Sequence, residues 1–441
     1  ASTGAGAAGG AAARARRLDE NASIIVFEKG PDPSFANCGM PYHLGGEIED
    51  RAKLNVQTPA SLKARLNLDV RTLTEVLSIN RDAKTVTVVE YETKRQYSEP
   101  YDDLILSVGA KPFMPPIPGI DRKGNFALRN LQDMDQIDDW LRESGAKRAV
   151  VAGAGFIGVE MAEQLKRRGL HVTLIEAAPQ IMAPVDVEVA ALLQQELERN
   201  GVAVRVADAV AAFEPPTDGA QGSDLLLKSG GYAPHPQHLP PPPPPLAHAS
   251  IAHRLHAAAA RRLHADVVIL GLGVRAESAL ARDAGLELSA RGGIVVDEHL
   301  RTKDPAIWAV GDAMEVRNPT LGDSWMVAMA GPANRQGRMV ADNILAAPDT
   351  PLRAYRGTLG TSVLRCFSLT CACTGVNERT LKSRGASYKA VHTWPMSHAG
   401  YYPGAAPMLL KLLFEPASGR VLGAQAVGPD KVEPRFAPPP P

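Results

Sequence analysis

One cysteine, Cys38, stands in a setting that suits redox chemistry. Residues 34–42 read Ser-Phe-Ala-Asn-Cys-Gly-Met-Pro-Tyr, and the small residues among them would let a flat ring or a partner sulfur approach the thiol. Pro41 favours the first turn of a helix, which would place Cys38 near a helix N-terminus, where a thiolate is stabilised. The alternative is that Cys38 is a small core residue. The surrounding pattern favours the reactive thiol.

No second cysteine lies close to Cys38 in the sequence. The chain has no CxxC or CxxxxC pair, and its other cysteines are Cys366, Cys371 and Cys373. A catalytic Cys38 would therefore form its disulfide with a sulfur of the substrate. The other three lie in an alternating segment and are predicted to be strand residues. So few cysteines favour a reducing compartment such as the cytoplasm, and no ligand spacing predicts a metal site.

The first glycine-rich turn lies at the start of the chain. It contains Gly4, Gly6 and Gly9, and an Ala/Arg-rich helix and the apolar run 24–27 follow it. Glycines let the backbone approach a pyrophosphate, and the helix N-terminus supplies N–H donors. Glu28 ends the apolar run, where a carboxylate can hold the ribose hydroxyls of a dinucleotide. The alternative is a flexible Gly/Ala tail.

A second unit repeats this pattern. The apolar strand 148–152 leads into Gly153, Gly155 and Gly158, and Glu176 ends the next predicted strand. A carboxylate accepts a hydrogen bond from a ribose 2′-hydroxyl but repels a 2′-phosphate, and the two alanines that follow supply no cation for that phosphate. This unit therefore predicts a site for NADH, with NADPH disfavoured. The alternative for Glu176 is a solvated strand end.

Apolar runs predict the elements that position these residues. Ile157, Met161 and Leu165 recur at helical spacing and predict one face of the helix after the second turn. Apolar and β-branched runs predict strands at 70–72, 85–89, 104–107, 266–271 and 307–310. The last of these strands leads directly into Gly311 and Asp312.

Charge and composition disfavour several classes of protein. The 441 residues include 48 basic and 48 acidic side chains, and this balance argues against nucleic acid or an anionic membrane as a partner. No run of apolar residues is long enough for a transmembrane helix. Residues 229–258 contain the run Pro240–Pro245, which cannot join a sheet, so a disordered insertion is predicted there.

The order of these features resembles a known family. A dinucleotide turn, one active cysteine, a second turn and then Gly311-Asp312 resemble the single-cysteine branch of the pyridine nucleotide-disulfide oxidoreductases, in particular its coenzyme A-disulfide reductases. Four segments carry the resemblance: Ser-Phe-Ala-Asn-Cys-Gly-Met-Pro-Tyr-His-Leu-Gly-Gly at 34–46, Tyr-Asp-Asp-Leu-Ile-Leu-Ser-Val-Gly-Ala at 101–110, Ala-Gly-Pro-Ala-Asn-Arg-Gln-Gly-Arg at 330–338 and Ser-His-Ala-Gly-Tyr-Tyr-Pro-Gly at 397–404.

The resemblance implies an α/β fold with two Rossmann-like dinucleotide-binding domains and a C-terminal α+β dimerisation domain. The FAD-binding domain would comprise residues 1–113 and 288–345. The NAD(P)H-binding domain would comprise residues 114–287 and contain the proline-rich insertion. Residues 346–441 would form a dimerisation domain, expected to be truncated, and the protein would be a homodimer.

The resemblance also implies roles for individual residues. FAD would contact Glu28, Gly311, Asp312 and the glycines of the first turn, with Asp312 at the ribityl chain. Cys38 would be the redox cysteine, and Tyr401 would reach the cysteine of the partner subunit. The positions that match the coenzyme A channel and its flavin end are Arg17, Ser34, Asn37 and Asn334. Arg17, with Arg14 and Arg16, would steer phosphates towards the site. The alternatives are a solvated helix charge for Arg17 and a packed loop aromatic for Tyr401.

The implied activity moves electrons from NAD(P)H through FAD to Cys38, and on to a coenzyme A disulfide or persulfide. The turn at residues 4–9 contains only Gly and Ala, so it lacks the histidine of peroxide-reducing relatives, which favours disulfide substrates. One alternative is an NADH oxidase in which Cys38 cycles through a sulfenic acid. Another is a non-catalytic remnant, which the absence of a strand before Gly4, the proline run and the short tail favour.

Overall fold

The computed structural model describes residues 7–216, 221–228 and 262–436. Gly4, Gly6 and the predicted insertion at 229–258 lie outside the described residues. Within these ranges no helix combines the length and the apolar character needed to cross a bilayer.

The helices are α1 (Ala7–Leu18), α2 (Met40–Leu44), α3 (Pro59–Leu66), α4 (Leu131–Glu143), α5 (Phe156–Arg167), α6 (Val187–Arg199), α7 (Ala279–Asp283), α8 (Ala330–Ile344) and α9 (Glu378–Ser383). The strands are β1 (Ile25–Phe27), β2 (Ser34–Phe35), β3 (Asn55–Gln57), β4 (Asp69–Arg71), β5 (Thr74–Asn80), β6 (Thr85–Glu90), β7 (Gln96–Pro100), β8 (Leu104–Leu106), β9 (Ala110–Pro112), β10 (Asn125–Phe126), β11 (Arg148–Ala152), β12 (His171–Ile175), β13 (Ala203–Arg205), β14 (Val210–Glu214), β15 (Ser223–Leu227), β16 (Arg262–Ala265), β17 (Val267–Leu270), β18 (Val274–Ala276), β19 (Ile307–Ala309), β20 (Val316–Arg317), β21 (Ser324–Trp325), β22 (Ser362–Cys366), β23 (Leu369–Gly375), β24 (Lys389–Thr393), β25 (Leu409–Phe414) and β26 (Val421–Gly428).

The chain forms two compact units, and each unit is discontinuous in sequence. The first comprises Ala1–Met40, Glu49–Lys111 and Val274–Gly360. The second comprises Pro41–Ile48, Pro112–Gly273 and Thr361–Pro441. The short segment that follows Cys38 therefore belongs to the second unit, whereas Cys38 itself belongs to the first.

The first unit is built around short parallel strand pairs. β1 pairs with β4 and β8 pairs with β19, in both cases parallel. The antiparallel strands β5, β6 and β7 form a separate sheet. Val88, Ile307 and Val310 are fully buried in one apolar cluster with Leu106. This core supports the strand ends at Glu28 and Gly311.

Helices α1 and α8 approach each other closely in the first unit. α1 is rich in alanine, the strongest helix former, and it ends with Arg16 and Arg17, whose charges suit a helix C-terminus. A Cβ placed on Gly337 of α8 would lie 2.2 Å from the carbonyl oxygen of Ala7, a distance no side chain tolerates. Only glycine at position 337 therefore permits this packing of the two helices.

The second unit contains a parallel sheet with the strand order β10-β17-β11-β12-β13. β17 is buried along its whole length, as is typical of a parallel sheet covered on both faces. Ile157, Met161 and Leu165 all lie in α5, as their helical spacing predicted. Met161 and Leu165 are fully buried, whereas Ile157, in the first turn of α5 beside the glycine turn, is 41% exposed.

An antiparallel sheet with the order β22-β23-β26-β25-β24 completes the second unit. A buried charge cluster joins it to helix α6. Lys411 of β25 has a fully buried side chain, and its Nζ lies 2.9 Å from Asp186 and 2.5 Å from Glu378, and also bonds Glu188 at the start of α6. Pairing offsets the cost of burying this cation.

Replacing Gly337 by Ala tests the close packing of α1 on α8. The added methyl group would collide with backbone, so the free energy of unfolding should fall by about 1–3 kcal/mol. Gly331→Ala on the same helix is the matched control, since a Cβ there meets nothing within 4 Å, and it should be neutral or slightly stabilising. Urea unfolding measures both variants; equal losses would contradict the packing.

Candidate functional site

In the second unit, the turn between β11 and α5 brings backbone into contact with backbone. A Cβ on Gly153 would lie 2.2 Å from the carbonyl oxygen of Gly271, and one on Gly158 would lie 1.9 Å from that of Gly153. Gly153 also has a φ of +102°, which side chains rarely adopt. A Cβ on Gly155 would meet nothing within 4 Å. The turn is thus closed on itself yet open towards the N-terminus of α5, as a pyrophosphate requires.

The carboxylate of Glu176 is held beside this turn. Its oxygens accept the backbone N–H groups of Ala154 at 2.9 Å and of Ala178 at 2.8 Å. These bonds keep the carboxylate at the carboxyl end of β12, where the ribose of a dinucleotide binds in such folds. The guanidinium of Arg205 on the neighbouring strand lies 3.8 Å from the buried carboxylate of Asp208. That cation is therefore already paired.

In the first unit, Glu28 occupies the equivalent position after β1. It is 6% exposed, and its Oε1 accepts the backbone N–H of Gly30 at 2.8 Å. Its own backbone bonds Arg71 at the end of β4 and Thr74 at the start of β5, at 2.9 and 3.0 Å. Strands on both sides therefore fix the direction in which Glu28 leaves the sheet.

Gly311 and Asp312 form a 3-10 turn, Gly311–Ala313, directly after β19. Burial raises the pKa of Asp312, and the N–H of Met329, which donates to the carboxylate, partly offsets that rise. The turn lies against the start of α1, because a Cβ on Gly311 would be 3.5 Å from the Cβ of Ala7. The predicted flavin residues after β19 and at the start of α1 are thus brought together.

This end of the first unit fits an FAD molecule. The first turn of α1 contains no acidic residue, and a Cβ on Gly9 would meet nothing within 4 Å. A diphosphate could therefore approach the helix N-terminus without a clash or a repelling charge. Glu28 and Asp312 supply carboxylates of the kind that bind hydroxyl groups. Asn334 of α8 lies beside α1, since a Cβ on Gly10 would be 3.0 Å from its Oδ1.

All four cysteines lie in the described part of the chain, and all four are free thiols. Cys38 is exposed, within a 3-10 turn, Asn37–Gly39, that α2 follows with Pro41 in its first turn. Cys366, Cys371 and Cys373 are buried, and burial raises the pKa of each thiol. Cys38 is therefore the one thiol of the chain that a dissolved disulfide can reach.

The other predicted substrate residues occupy different surroundings. Ser34 is buried in β2, whereas Asn37 is exposed beside Cys38. Arg17 is exposed at the end of α1. Tyr401 belongs to the second unit and is 93% exposed. The structure therefore places Ser34 and Asn37 in the cysteine segment, and leaves Arg17 and Tyr401 on the surface of their respective units.

Two of the arginines predicted to steer phosphates are engaged within the first unit. The Nε of Arg14 bonds Asp342 at 2.6 Å. Arg16 donates to several backbone carbonyls, including those of Leu66 at 3.0 Å and Asn67 at 3.2 Å. Their charges are thus used to join α1 to its neighbours, so Arg17 carries the exposed charge of this group.

Sequence reasoning missed a titratable pair in the second unit. The hydroxyl of Tyr42 donates to Oε1 of Glu160 at 3.1 Å. Burial raises the pKa of Glu160 to about 7, and it raises the pKa of Tyr42 as well. Glu160 lies in the second turn of α5, directly after the glycine turn. Its position in the dinucleotide unit was the available signal, but its partner is 118 residues away.

Comparison with known proteins identifies the family. The family described as "Pyridine nucleotide-disulphide oxidoreductase" matches residues 3–331, and its dimerisation domain matches residues 363–435. The chain belongs to the pyridine nucleotide-disulphide oxidoreductase family. It is 32% identical over 431 residues to coenzyme A disulfide reductase of Staphylococcus aureus strain JH9, which covers 97% of this chain and 88% of that protein.

Two solved structures are similar along nearly the whole chain. Reduced CoADR-RHD of Bacillus anthracis is 44% identical with a TM-score of 0.86, over 97% of this chain and 70% of that one. The NAD-dependent persulfide reductase of A. fulgidus is 33% identical with a TM-score of 0.86, over 98% of this chain and 74% of that one.

Family membership confirms several predictions. The α/β fold with two dinucleotide-binding domains and a C-terminal dimerisation domain is confirmed. The chain is a flavoprotein, an FAD-dependent disulfide oxidoreductase that uses a pyridine nucleotide.

Glu160→Gln tests the burial of this carboxyl group through pH. A raised pKa means that the folded state retains a proton that the unfolded chain releases above its ordinary value of 4.5. The stability this provides is present below pH 4.5 and is lost as the pH rises through about 7. The variant titrates no such group, so between pH 4.5 and 8 wild type should lose about 1–3 kcal/mol relative to it.

Urea unfolding across this pH range measures the difference. Glu143→Gln, at the exposed end of α4, is the control and should parallel wild type. If the difference in the free energy of unfolding between wild type and Glu160→Gln were the same at every pH, the raised pKa of Glu160 would be contradicted.

Proposed function

We propose that this chain reduces coenzyme A disulfide, or a related low-molecular-weight disulfide or persulfide, through Cys38. One observation carries the proposal: Cys38 is an exposed free thiol, and the three other cysteines of the chain are buried. A disulfide at Cys38 therefore takes its second sulfur from a molecule in solution. The names of the relatives, a coenzyme A disulfide reductase and a persulfide reductase, support this class of substrate.

The sulfur chemistry balances with one cysteine. The Cys38 thiolate attacks one sulfur of the substrate disulfide, the sulfur–sulfur bond breaks, and the first half leaves as a thiolate that takes a proton from water. The mixed disulfide at Cys38 then takes up two electrons and one proton, which releases the second thiol and restores the thiolate. FAD, when bound, transfers the electron pair of the nicotinamide to this disulfide.

The cofactor sites are assigned as part of this proposal. Gly4, Gly6, Gly9, Glu28, Gly311 and Asp312 would hold FAD, and Gly153, Gly155, Gly158 and Glu176 would hold the nicotinamide dinucleotide. NADH is the proposed coenzyme because the Glu176 carboxylate stands where a 2′-phosphate would have to fit. The paired state of Arg205 supports the same preference.

The substrate side of the proposal uses residues of the cysteine segment and of α1. Asn37 beside Cys38, and Ser34 and Asn334, would line the channel for coenzyme A. The exposed cation of Arg17 would attract its phosphates, without the help of Arg14 and Arg16. Tyr401 would act at the cysteine of the partner subunit in a homodimer, consistent with the matched dimerisation domain. The domain limits given above remain a prediction.

Cys38→Ser tests the proposed function. Loss of the nucleophile should lower NADH-dependent reduction of coenzyme A disulfide at least about a thousandfold, while NADH still bleaches the flavin absorbance in a single turnover. Cys373→Ser is the matched control, because its buried sulfur lies 3.1 Å from the hydroxyl of Ser362 and a serine there keeps that partner. It should retain activity.

Undiminished disulfide turnover by Cys38→Ser would refute the scheme. Oxygen consumption by wild type without any disulfide, at the rate seen with disulfide, would favour an NADH oxidase instead. The same assay run with NADPH measures the coenzyme preference.

A further inference from the structure

Helix α8 carries a buried amide directly beneath the turn that bears Asp312. Gln336 is 2% exposed, and its Oε1 accepts the backbone N–H of Gly311 at 2.9 Å. A buried amide is costly unless its polar atoms are hydrogen-bonded. The bond to Gly311 therefore holds the amide with its oxygen towards the turn.

The turn has a second connection to the same helix. A Cβ on Gly311 would lie 3.7 Å from the Cβ of Ala333 in the first turn of α8. The backbone at Gly311 is thus both bonded to α8 and packed against it. These two contacts define the position from which the next residue, Asp312, extends its carboxylate.

Two consecutive residues of α8 contact the two other elements of the proposed flavin site, which are the turn after β19 and the start of α1. Gln336 bonds the turn after β19, and Gly337 admits the backbone of Ala7 at the start of α1. The turn itself lies against Ala7. The spacing of helix N-terminus, turn and carboxylate is therefore set by one short stretch of α8.

We propose that Gln336 is a positioning residue of the flavin site, which fixes the Gly311–Ala313 turn so that Asp312 is presented to FAD. The inference rests on the FAD site assigned under the proposed function. Gln336 acts through Gly311 and Asp312 and need not touch the cofactor itself.

A positioning role predicts a larger effect on flavin binding than on folding. The N–H of Gly311 is only part-buried, so water can replace the lost acceptor when Gln336 is removed. The chain should then still fold, but the turn would lose one of its two fixed points. A residue that served only the core would show the opposite balance.

Flavin titration of Gln336→Leu tests this role. Apoprotein is titrated with FAD, and flavin fluorescence gives the dissociation constant; the FAD-to-protein ratio after purification is a second readout. The dissociation constant should rise about three- to tenfold, the loss expected for one hydrogen bond that water can partly replace. Gln336→Glu, which keeps an acceptor oxygen, should bind FAD more tightly than Gln336→Leu.

Asn343→Leu is the matched control, because it removes another buried amide from the same helix. Asn343 is 5% exposed and bonds the backbone of His299 and Arg353, away from the turn. It should lower the thermal unfolding temperature and leave FAD affinity within about twofold of wild type.

The outcomes separate the inference from the proposed function. Wild-type apoprotein that fails to bind FAD would refute the flavin assignment itself. Tight binding by wild type, with Gln336→Leu within twofold of it or Asn343→Leu equally impaired, would overturn the role of Gln336. Should Gln336→Leu not fold, Gln336→Met, which keeps the side-chain length without an acceptor oxygen, carries the test: an increase of about three- to tenfold in the dissociation constant supports the role, and no increase overturns it.

Discussion

An exposed thiol with no accessible partner in its own chain constrains the rest of the structure. For Cys38 to form a disulfide, another molecule must bring the second sulfur, and electrons must then arrive by a route other than an internal dithiol. The first condition requires an open approach to the cysteine, which its exposed 3-10 turn provides. The second requires a cofactor, and we propose that the glycine-lined helix start of each unit binds a dinucleotide.

Close contact between backbone segments, which glycine permits, shapes these helix N-termini for ligand binding. In the second unit, Gly153 and Gly158 close the turn so tightly that any Cβ would meet a carbonyl oxygen. In the first unit, Gly337 allows α8 to meet α1 at Ala7. Carboxylates are then placed at the strand ends by bonds to backbone N–H groups, as in Glu176 and Glu28. Such bonds keep each carboxylate in position to accept a hydrogen bond from a hydroxyl group without moving.

Local patterns predicted much of this arrangement. The glycine spacing and the terminal acid of each unit predict a nucleotide site, because the physical requirements of a pyrophosphate act within a few residues. The family match confirms the two dinucleotide-binding domains. The predicted strands at 104–107, 266–271 and 307–310 are observed as β8, β17 and β19, since continuous apolar runs of that length form buried parallel strands.

Contacts between distant segments could not be predicted in this way. Arg14 was predicted to be a phosphate-steering charge, but it pairs with Asp342, which lies 328 residues further along the chain. The carboxylates around Lys411 come from segments more than 30 and more than 200 residues away. Gln336 reads as an ordinary polar helix residue until the fold places it under Gly311. Each of these roles depends on tertiary packing, which residue type and spacing do not encode.

Mass spectrometry of the intact protein tests the central claim about Cys38 most directly. Enzyme with oxidised flavin and a free Cys38 thiol is mixed, without NADH, with one equivalent of coenzyme A disulfide. It should gain one coenzyme A per chain, located on the peptide that contains Cys38 and removed by dithiothreitol. An unmodified Cys38, or a disulfide between Cys38 and one of the buried cysteines, would contradict a mechanism in which the substrate supplies the second sulfur.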